Sequence, residues 1–359
     1  MVRLPAAGAI DCDIHPALPG THVLVPYFDE YWREMITMRG LDRDDLSLGA
    51  YPPGATLTCR PDWRPAKGNP GADFDLLRRD ALDAFGTRFA ICNVLHGAQV
   101  QLSEDMAAAM CGAINDWLVK EWLDRDPRLR ASIVVPVHSP ELAAKEIEKR
   151  AADPRFVQVL LLAMAEVPLG RRTNFPIYRA AERHGLPVGI HAGGSNRNPP
   201  TSLGWPSYLL EDYVVQAQAF AGVLNSLITE GVFVEFPRLK VVLMESGVSW
   251  LPNYLWRANK TWRAMRAEVP WQTRPPSDFV REQVRLTIQP FDEPPTDRQL
   301  ERIIEQIGSD EVFLFATDYP HWHFDGDECL PDGFSPDFVR KITVDNPLAT
   351  YSRLRETVA

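Results

Sequence analysis

From Phe89 to the C-terminus the chain alternates between short runs of apolar residues and longer segments with helical spacing, a rhythm that few folds can use. The runs Phe89–Val94, Ala131–Val137, Val157–Ala163, Pro187–His191, Leu239–Glu245, Val284–Gln289 and Val312–Asp318 read as strands. Between them Glu104–Leu123, Pro140–Ala152, Pro176–His184, Leu209–Glu230, Leu251–Ala267 and Asp297–Ile307 read as helices, with Pro336–Ile342 closing the series. The N-terminal run from Ala6 to His15 supplies one more strand. Strands that are apolar throughout, rather than at alternate positions, belong to parallel sheets buried on both faces. Eight of them alternating with helices predict an α/β protein, a (β/α)8 TIM barrel, with its active site at the C-terminal ends of the strands.

A barrel of this kind can occupy all 359 residues as one domain, and no repeat, low-complexity tract or linker divides the chain. The exception to the rhythm is a long loop insertion after the first strand, Pro16 to Asn69, rich in Gly, Pro and aromatic residues. Its aromatic content argues against disorder and for a functional role. A helix from Phe74 to Phe85 follows it, with Asp73 as N-cap and Gly86 as stop. A formal charge of -10 argues against a nucleic-acid partner, which needs a basic face. No apolar run approaches membrane-spanning length, and the five cysteines form no C-x-x-C pair. A cytoplasmic protein without disulfides is expected.

The barrel reading makes the strand ends the place to look for chemistry. The first strand ends in Asp13 and His15, the fifth in His191, the sixth in Glu245 and the eighth in Asp318, followed by Tyr319-Pro-His321-Trp322-His323. On a strand Asp11, Asp13 and His15 share one face, since side chains alternate. Any one of these residues is ordinary; a D-x-H pair is more often structural than ligating, and His96 and His138 read best as hydrogen-bonded structural histidines. Two Asp and two His arriving on one rim are a different matter, because nitrogen and oxygen donors of this type suit a divalent metal. Zinc is the first expectation, manganese or iron the alternatives, with room for a second ion.

These residues carry a resemblance. Ile10-Asp-Cys-Asp-Ile-His15, Leu186-Pro-Val-Gly-Ile-His191-Ala-Gly-Gly, Phe236-Pro-Arg-Leu-Lys-Val-Val-Leu-Met-Glu-Ser-Gly247, Trp250-Leu-Pro and Phe315-Ala-Thr-Asp-Tyr-Pro-His-Trp322 resemble the amidohydrolase-related family of the amidohydrolase superfamily. That group includes aminocarboxymuconate-semialdehyde decarboxylase and γ-resorcylate decarboxylase. The resemblance implies that Asp13, His15, His191 and Asp318 bind the catalytic metal, and it relegates Asp11 to a supporting role. The sequence departs from it at Glu245, where the well-studied decarboxylases carry a His used in acid–base work. It also lacks the fourth-strand Lys that bridges paired metals in dinuclear hydrolases.

The implied activity is hydrolysis or non-oxidative decarboxylation of a small carboxylated substrate, with Asp318, Glu245 and His321 as the catalytic set and Glu245 as a further metal ligand or an acid–base group. A carboxylate at 245 weakens the decarboxylase version, since an ionised Glu is a poor proton donor. An alternative is an oxygenase with two iron or manganese ions, held in part by Glu245 with His321 or His323. Another is a non-catalytic subunit that keeps its metal beside a homologous catalytic chain. Arg60, Arg197 and Arg257 are candidates to clamp a substrate carboxylate, and Trp322 to wall the pocket. An oligomer is expected, of identical chains or with a homologous one.

Overall fold

The computed structural model describes residues 4–43, 59–193, 198–292, 294–321, 330 and 333–356. Eight parallel strands lie in sequence order: β1 (Ile10–Ile14), β2 (Phe89–Cys92), β3 (Leu129–Val134), β4 (Phe156–Leu162), β5 (Val188–His191), β6 (Val241–Met244), β7 (Val284–Thr287) and β8 (Phe313–Leu314). The seam between β8 and β1 is closed by three main-chain bonds. The amide of Cys12 donates to Phe315 O (3.0 Å), that of Asp318 to Asp13 O (3.0 Å) and that of His15 to Tyr319 O (2.7 Å). Every strand residue is buried, as the continuous apolar runs require.

The helices are α1 (Glu30–Met38), α2 (Phe74–Leu77), α3 (Glu104–Leu118), α4 (Pro140–Arg150), α5 (Phe175–Arg183), α6 (Leu209–Thr229), α7 (Val232–Glu235), α8 (Leu251–Met265), α9 (Pro276–Gln283), α10 (Asp297–Ile307), α11 (Pro336–Arg340), α12 (Asn346–Thr350) and α13 (Ser352–Glu356). The barrel helices bury one face on the sheet: Met110, Ile114 and Trp117 on α3, Ile177, Tyr178 and Ala181 on α5, Phe220, Leu224 and Leu227 on α6. The three-to-four-residue spacing of these side chains is what makes each segment helical in this context. Each large one contributes about 1.5–3 kcal/mol on leaving water.

Four elements differ from the sequence reading. The connection after β1 is not all loop: α1 lies in it, its first turn capped by Asp29, whose carboxylate accepts the Trp32 amide at 2.9 Å. The helix expected from Phe74 to Phe85 is regular only through Leu77 and then widens into a π-helical turn at Arg78–Asp83. The last strand, expected over Val312–Asp318, pairs with β7 only at Phe313 and Leu314, and the chain beyond bonds instead to β1, through Phe315, Asp318 and Tyr319. The final helix, expected over Pro336–Ile342, runs on through a π-helical turn at Lys341–Asp345 into α12, and Tyr351 and α13 follow across the bottom of the barrel. There the Arg353 guanidinium donates to the carbonyls of Phe156 (2.9 Å), Ala151 (3.1 Å) and His184 (3.3 Å).

Two αβ turns are built alike. Before β3, Asp126 accepts the amide of Arg128 at 2.9 Å and grips its guanidinium; before β4, Asp153 does the same to Arg155 at 2.9 Å. Among the described residues Cys12, Cys59, Cys92 and Cys111 are free and buried, and no helix is long and apolar enough to cross a membrane.

Candidate metal centre

Strand β1 delivers Asp13 and His15 to the barrel mouth, and one residue at the end of β2 orients both. The side-chain amide of Asn93 donates to Asp13 Oδ1 at 2.8 Å, while the Asn93 carbonyl accepts from His15 Nδ1 at 2.9 Å. With Nδ1–H so used, His15 turns Nε2 toward the site, the arrangement a ligating histidine needs. Gly71 lets the β1–β2 connection pack against this corner, because a Cβ there would come within 2.3 Å of His15 O.

His191 follows the same logic at the end of β5. Its Nδ1 donates to Ala192 O (2.5 Å), which leaves Nε2 facing Glu245 Oε1 at 3.3 Å and Asp13 Oδ2 at 3.5 Å. Glu245 and Asp318, at the ends of β6 and β8, are the two non-glycine residues with positive φ among those described, both at 57°. An L-residue in the left-handed region carries steric strain of about 1–2 kcal/mol, retained where surrounding structure holds it. Here Thr287 Oγ1 accepts the Glu245 amide (3.1 Å), and Asp13 O accepts that of Asp318. The strain turns both carboxylates inward.

Asp318 Oδ1 lies 2.9 Å from His15 Nε2 and 3.0 Å from His321 Nδ1, and His321 Nδ1 is also 3.3 Å from Glu245 Oε1. The His321 ring stacks on His15 at 4.6 Å. Burial pulls down the basicity of His321, but Asp318 and Glu245 outweigh it and push its pKa up to about 10. His191 behaves alike: burial opposes its charge, and Glu245 and Asp13 raise its pKa well above the ordinary value. Burial disfavours the Glu245 carboxylate, yet His191 and His321 hold its pKa well below the usual range. Four buried or nearly buried acid and imidazole pairs thus depend on one another's charge.

A cation fits this donor set. Asp13, His15, His191 and Asp318 can each place one ligand atom within 4.8 Å of the others, and so can His15, Glu245, Asp318 and His321. Asp13 Oδ2 and His191 Nε2 are buried and have no hydrogen-bond partner, although they face each other. Buried polar atoms are rarely left so, and two that converge on a common gap suit an ion between them.

The structure therefore brings together Asp13, His15, His191, Glu245, Asp318 and His321. Asp11 is on the same strand but binds Thr317, accepting its amide at 3.0 Å and its hydroxyl at 2.6 Å. His96 accepts the Ala98 amide and is buried; His138 pairs with Glu166 at 3.5 Å. Arg60 lies beside the rim, its amide 3.4 Å from Pro320 O, and its guanidinium forks onto Asp62 and covers the Trp63 ring. Arg257 is elsewhere, in a groove between α6 and α8 with Asn225, Tyr254 and Trp262. Arg197, Trp322 and His323 lie outside the described residues. Sequence reasoning passed over Ser132, Gln158 and Thr287; the signal was a polar residue inside an otherwise apolar strand.

Comparison with known proteins agrees with this architecture. The chain is 25% identical to the γ-resorcylate decarboxylase of a Rhizobium species over 264 residues, 70% of this chain and 79% of that one. The crystal structure of a Polaromonas dihydroxybenzoic acid decarboxylase, with bound manganese and the inhibitor 2-nitroresorcinol, superposes with a TM-score of 0.66 at 20% identity, over 97% of each chain. A 5-carboxyvanillate decarboxylase of Novosphingobium aromaticivorans, complexed with manganese and 4-hydroxy-3-methoxy-5-nitrobenzoic acid, gives 0.66 at 19% identity, over 97% of this chain and 96% of that one. The sequence profile of the amidohydrolase family matches residues 10–353, so the chain is an enzyme that belongs to the amidohydrolase family.

Proposed function

We propose that this enzyme is a metal-dependent, non-oxidative decarboxylase of a small aromatic acid with a hydroxyl group ortho to the carboxylate. The observation that carries this is the 3.0 Å pairing of Asp318 with His321 at the edge of a carboxylate–imidazole cluster fit for one cation. The decarboxylase relatives supply the substrate class. The compounds bound to two of them place a nitro group, a flat stand-in for carboxylate, beside a phenolic hydroxyl. Manganese replaces zinc as the first choice, since it is bound in those relatives and suits carboxylate-rich sites.

Asp13, His15, His191 and Asp318 would hold the ion. When bound it would anchor and polarise the substrate's carboxylate and adjacent oxygen. His321 Nδ1 lies 3.0 Å from Asp318 Oδ1 and would hand its proton to the ring carbon. That carbon takes the proton, the bond to the carboxylate breaks, its electron pair restores the ring, and carbon dioxide leaves. His321 regains its proton from water. Glu245 remains ionised and keeps His321 charged, so the imidazole absent at position 245 is supplied from β8 instead. Arg60, beside the same turn, would meet the far side of the substrate.

The test is carbon dioxide release and phenol formation from a panel of 2-hydroxybenzoates by the manganese-loaded enzyme. Hydrolysis of esters or lactones with no decarboxylation of any 2-hydroxybenzoate would overturn the reading. A second reading, two ions with oxygenase chemistry, is favoured by the second ligand group, His15, Glu245, Asp318 and His321. About two iron or manganese ions per chain, with oxygen consumption, would decide for it; a single ion would decide against it.

A further inference from the structure

Below the metal centre the barrel interior holds a line of buried polar side chains that the reaction does not use. Asn93, Ser132 and Gln158 have no exposed surface, and neither does Tyr351. They come from the ends or middles of successive strands β2, β3 and β4, and from the segment between α12 and α13 that closes the barrel's bottom. Their hydrogen bonds all run one way. Tyr351 OH donates to Gln158 Oε1 (2.9 Å), and Gln158 Nε2 donates to Ser132 Oγ (2.8 Å). Ser132 OH donates to Asn93 Oδ1 (2.5 Å), and Asn93 Nδ2 donates to Asp13 Oδ1 (2.8 Å).

The direction is not arbitrary. Asn93 Nδ2 is also within 3.3 Å of Cys12 O and 3.4 Å of Ile91 O, which can only accept, so its amide cannot be turned over. The donor–acceptor sense at Asn93 then fixes that of Ser132 and Gln158. Room for the Gln158 amide exists because residue 189 is glycine: a Cβ there would lie 2.5 Å from Gln158 Nε2. Chains of hydrogen bonds that point the same way polarise one another, most where water is excluded. The chain ends on Asp13 Oδ1, which is 3.3 Å from His15 Nε2, while Oδ2 is turned toward His191.

We propose that Tyr351, Gln158, Ser132 and Asn93 are a positioning relay that sets the metal affinity of the site from the bottom of the barrel. The relay acts through Asp13, and through the Asn93 carbonyl on His15, so two ligands of the first strand share one support. This rests on the metal-binding reading above. Partners that orient a ligand typically change metal affinity by about 10–100-fold when removed.

The experiment is the dissociation constant for Mn(II), by equilibrium dialysis of the purified full chain, beside the melting temperature of the metal-free protein. Asn93→Asp, which places a second carboxylate against Asp13 and removes the donor, is expected to weaken binding by about 10-fold or more. Tyr351→Phe, which deletes the hydroxyl bonded to Gln158 at the far end of the line, is expected to weaken it several-fold. Wild-type affinity in Tyr351→Phe and Ser132→Ala, with only the melting temperature lowered, would make the line a structural one and overturn the proposal. If Asn93→Asp fails to fold, those two milder variants still decide. His191→Ala is the control: if it too keeps full manganese, the metal centre itself is misplaced, and that failure is separate from failure of the relay.

Discussion

Glu245 and Asp318 share a backbone conformation that L-residues avoid, and they are the two rim carboxylates that arrive from β6 and β8. Glycine has no Cβ to clash at φ 57°. Glu245→Gly is therefore expected to leave the metal-free protein about 1 kcal/mol more stable than Glu245→Ala, while both lose activity to the same extent. Chemical denaturation of the two variants measures it, and equal stabilities would mean that the neighbourhood, not the residue, sets that φ. A second expectation concerns pH. Burial opposes the charge on His321, and Asp318 and Glu245 overcome it, raising its pKa from 6.5 to about 10. A raised histidine pKa gives stability that is complete below 6.5 and is lost as pH rises through about 10. The melting temperature of the metal-free protein is expected to fall between those limits, and His321→Ala to flatten part of that slope, His191 keeping the rest. That Asp13, His15, His191 and Asp318 gather at the barrel mouth was legible in the sequence, because each ends an apolar run. The strain at Glu245 and Asp318 was not, since a residue's name does not disclose its φ.

Among the elements, the strands were the most legible, because a sheet buried on both faces demands unbroken apolar runs. Their ends were the least. Ile288, Phe315 and Ala316 continue the apolar pattern of β7 and β8 beyond the residues that pair between those two strands. The helix α1 was hidden by the Pro- and aromatic-rich composition around it; Asp29, its cap, is the signal that was passed over. The matched turns before β3 and β4 support a prediction of their own. Asp126 and Asp153 each accept an amide and a guanidinium, and burial, which would raise their pKa values, is outweighed by Arg128 and Arg155, which lower them. Both arginines are about a third exposed, so water screens the pairs. Asp126→Ala and Asp153→Ala are each expected to cost about 1 kcal/mol, and to add in the double variant, because the turns share no partner. The sign with pH follows: depressed carboxylate pKa values contribute above 3.8 and are lost as pH falls through the folded values. Urea unfolding at pH 7 and pH 3 should show the difference between wild type and variants shrinking at the lower pH.

For the molecule as a whole, the candidate ligands flank the seam at which the barrel closes. Seven strand pairs join the sheet from β1 to β8, but the seam from β8 back to β1 relies on a few main-chain bonds and on Asp11 with Thr317. Asp13 and His15 stand on one side of that seam, Asp318 and His321 on the other, with His191 and Glu245 across the mouth. An ion held by these groups would lock the seam from above, as α12, Tyr351 and Arg353 close the barrel from below. Metal binding should accordingly act on the seam before it acts on the rest of the sheet. In hydrogen exchange, saturating manganese is expected to slow the amides of His15 and Asp318, which bond across the seam, more than those of Val159 and Val188, which bond between β4 and β5 and between β5 and β6. The same addition should stabilise the fold by about 2.7 kcal/mol at a hundredfold excess over Kd. Asp13→Ala should lose both effects together. Uniform protection across all eight strands would show instead that the barrel opens as a single unit, with the seam no weaker than its other joints.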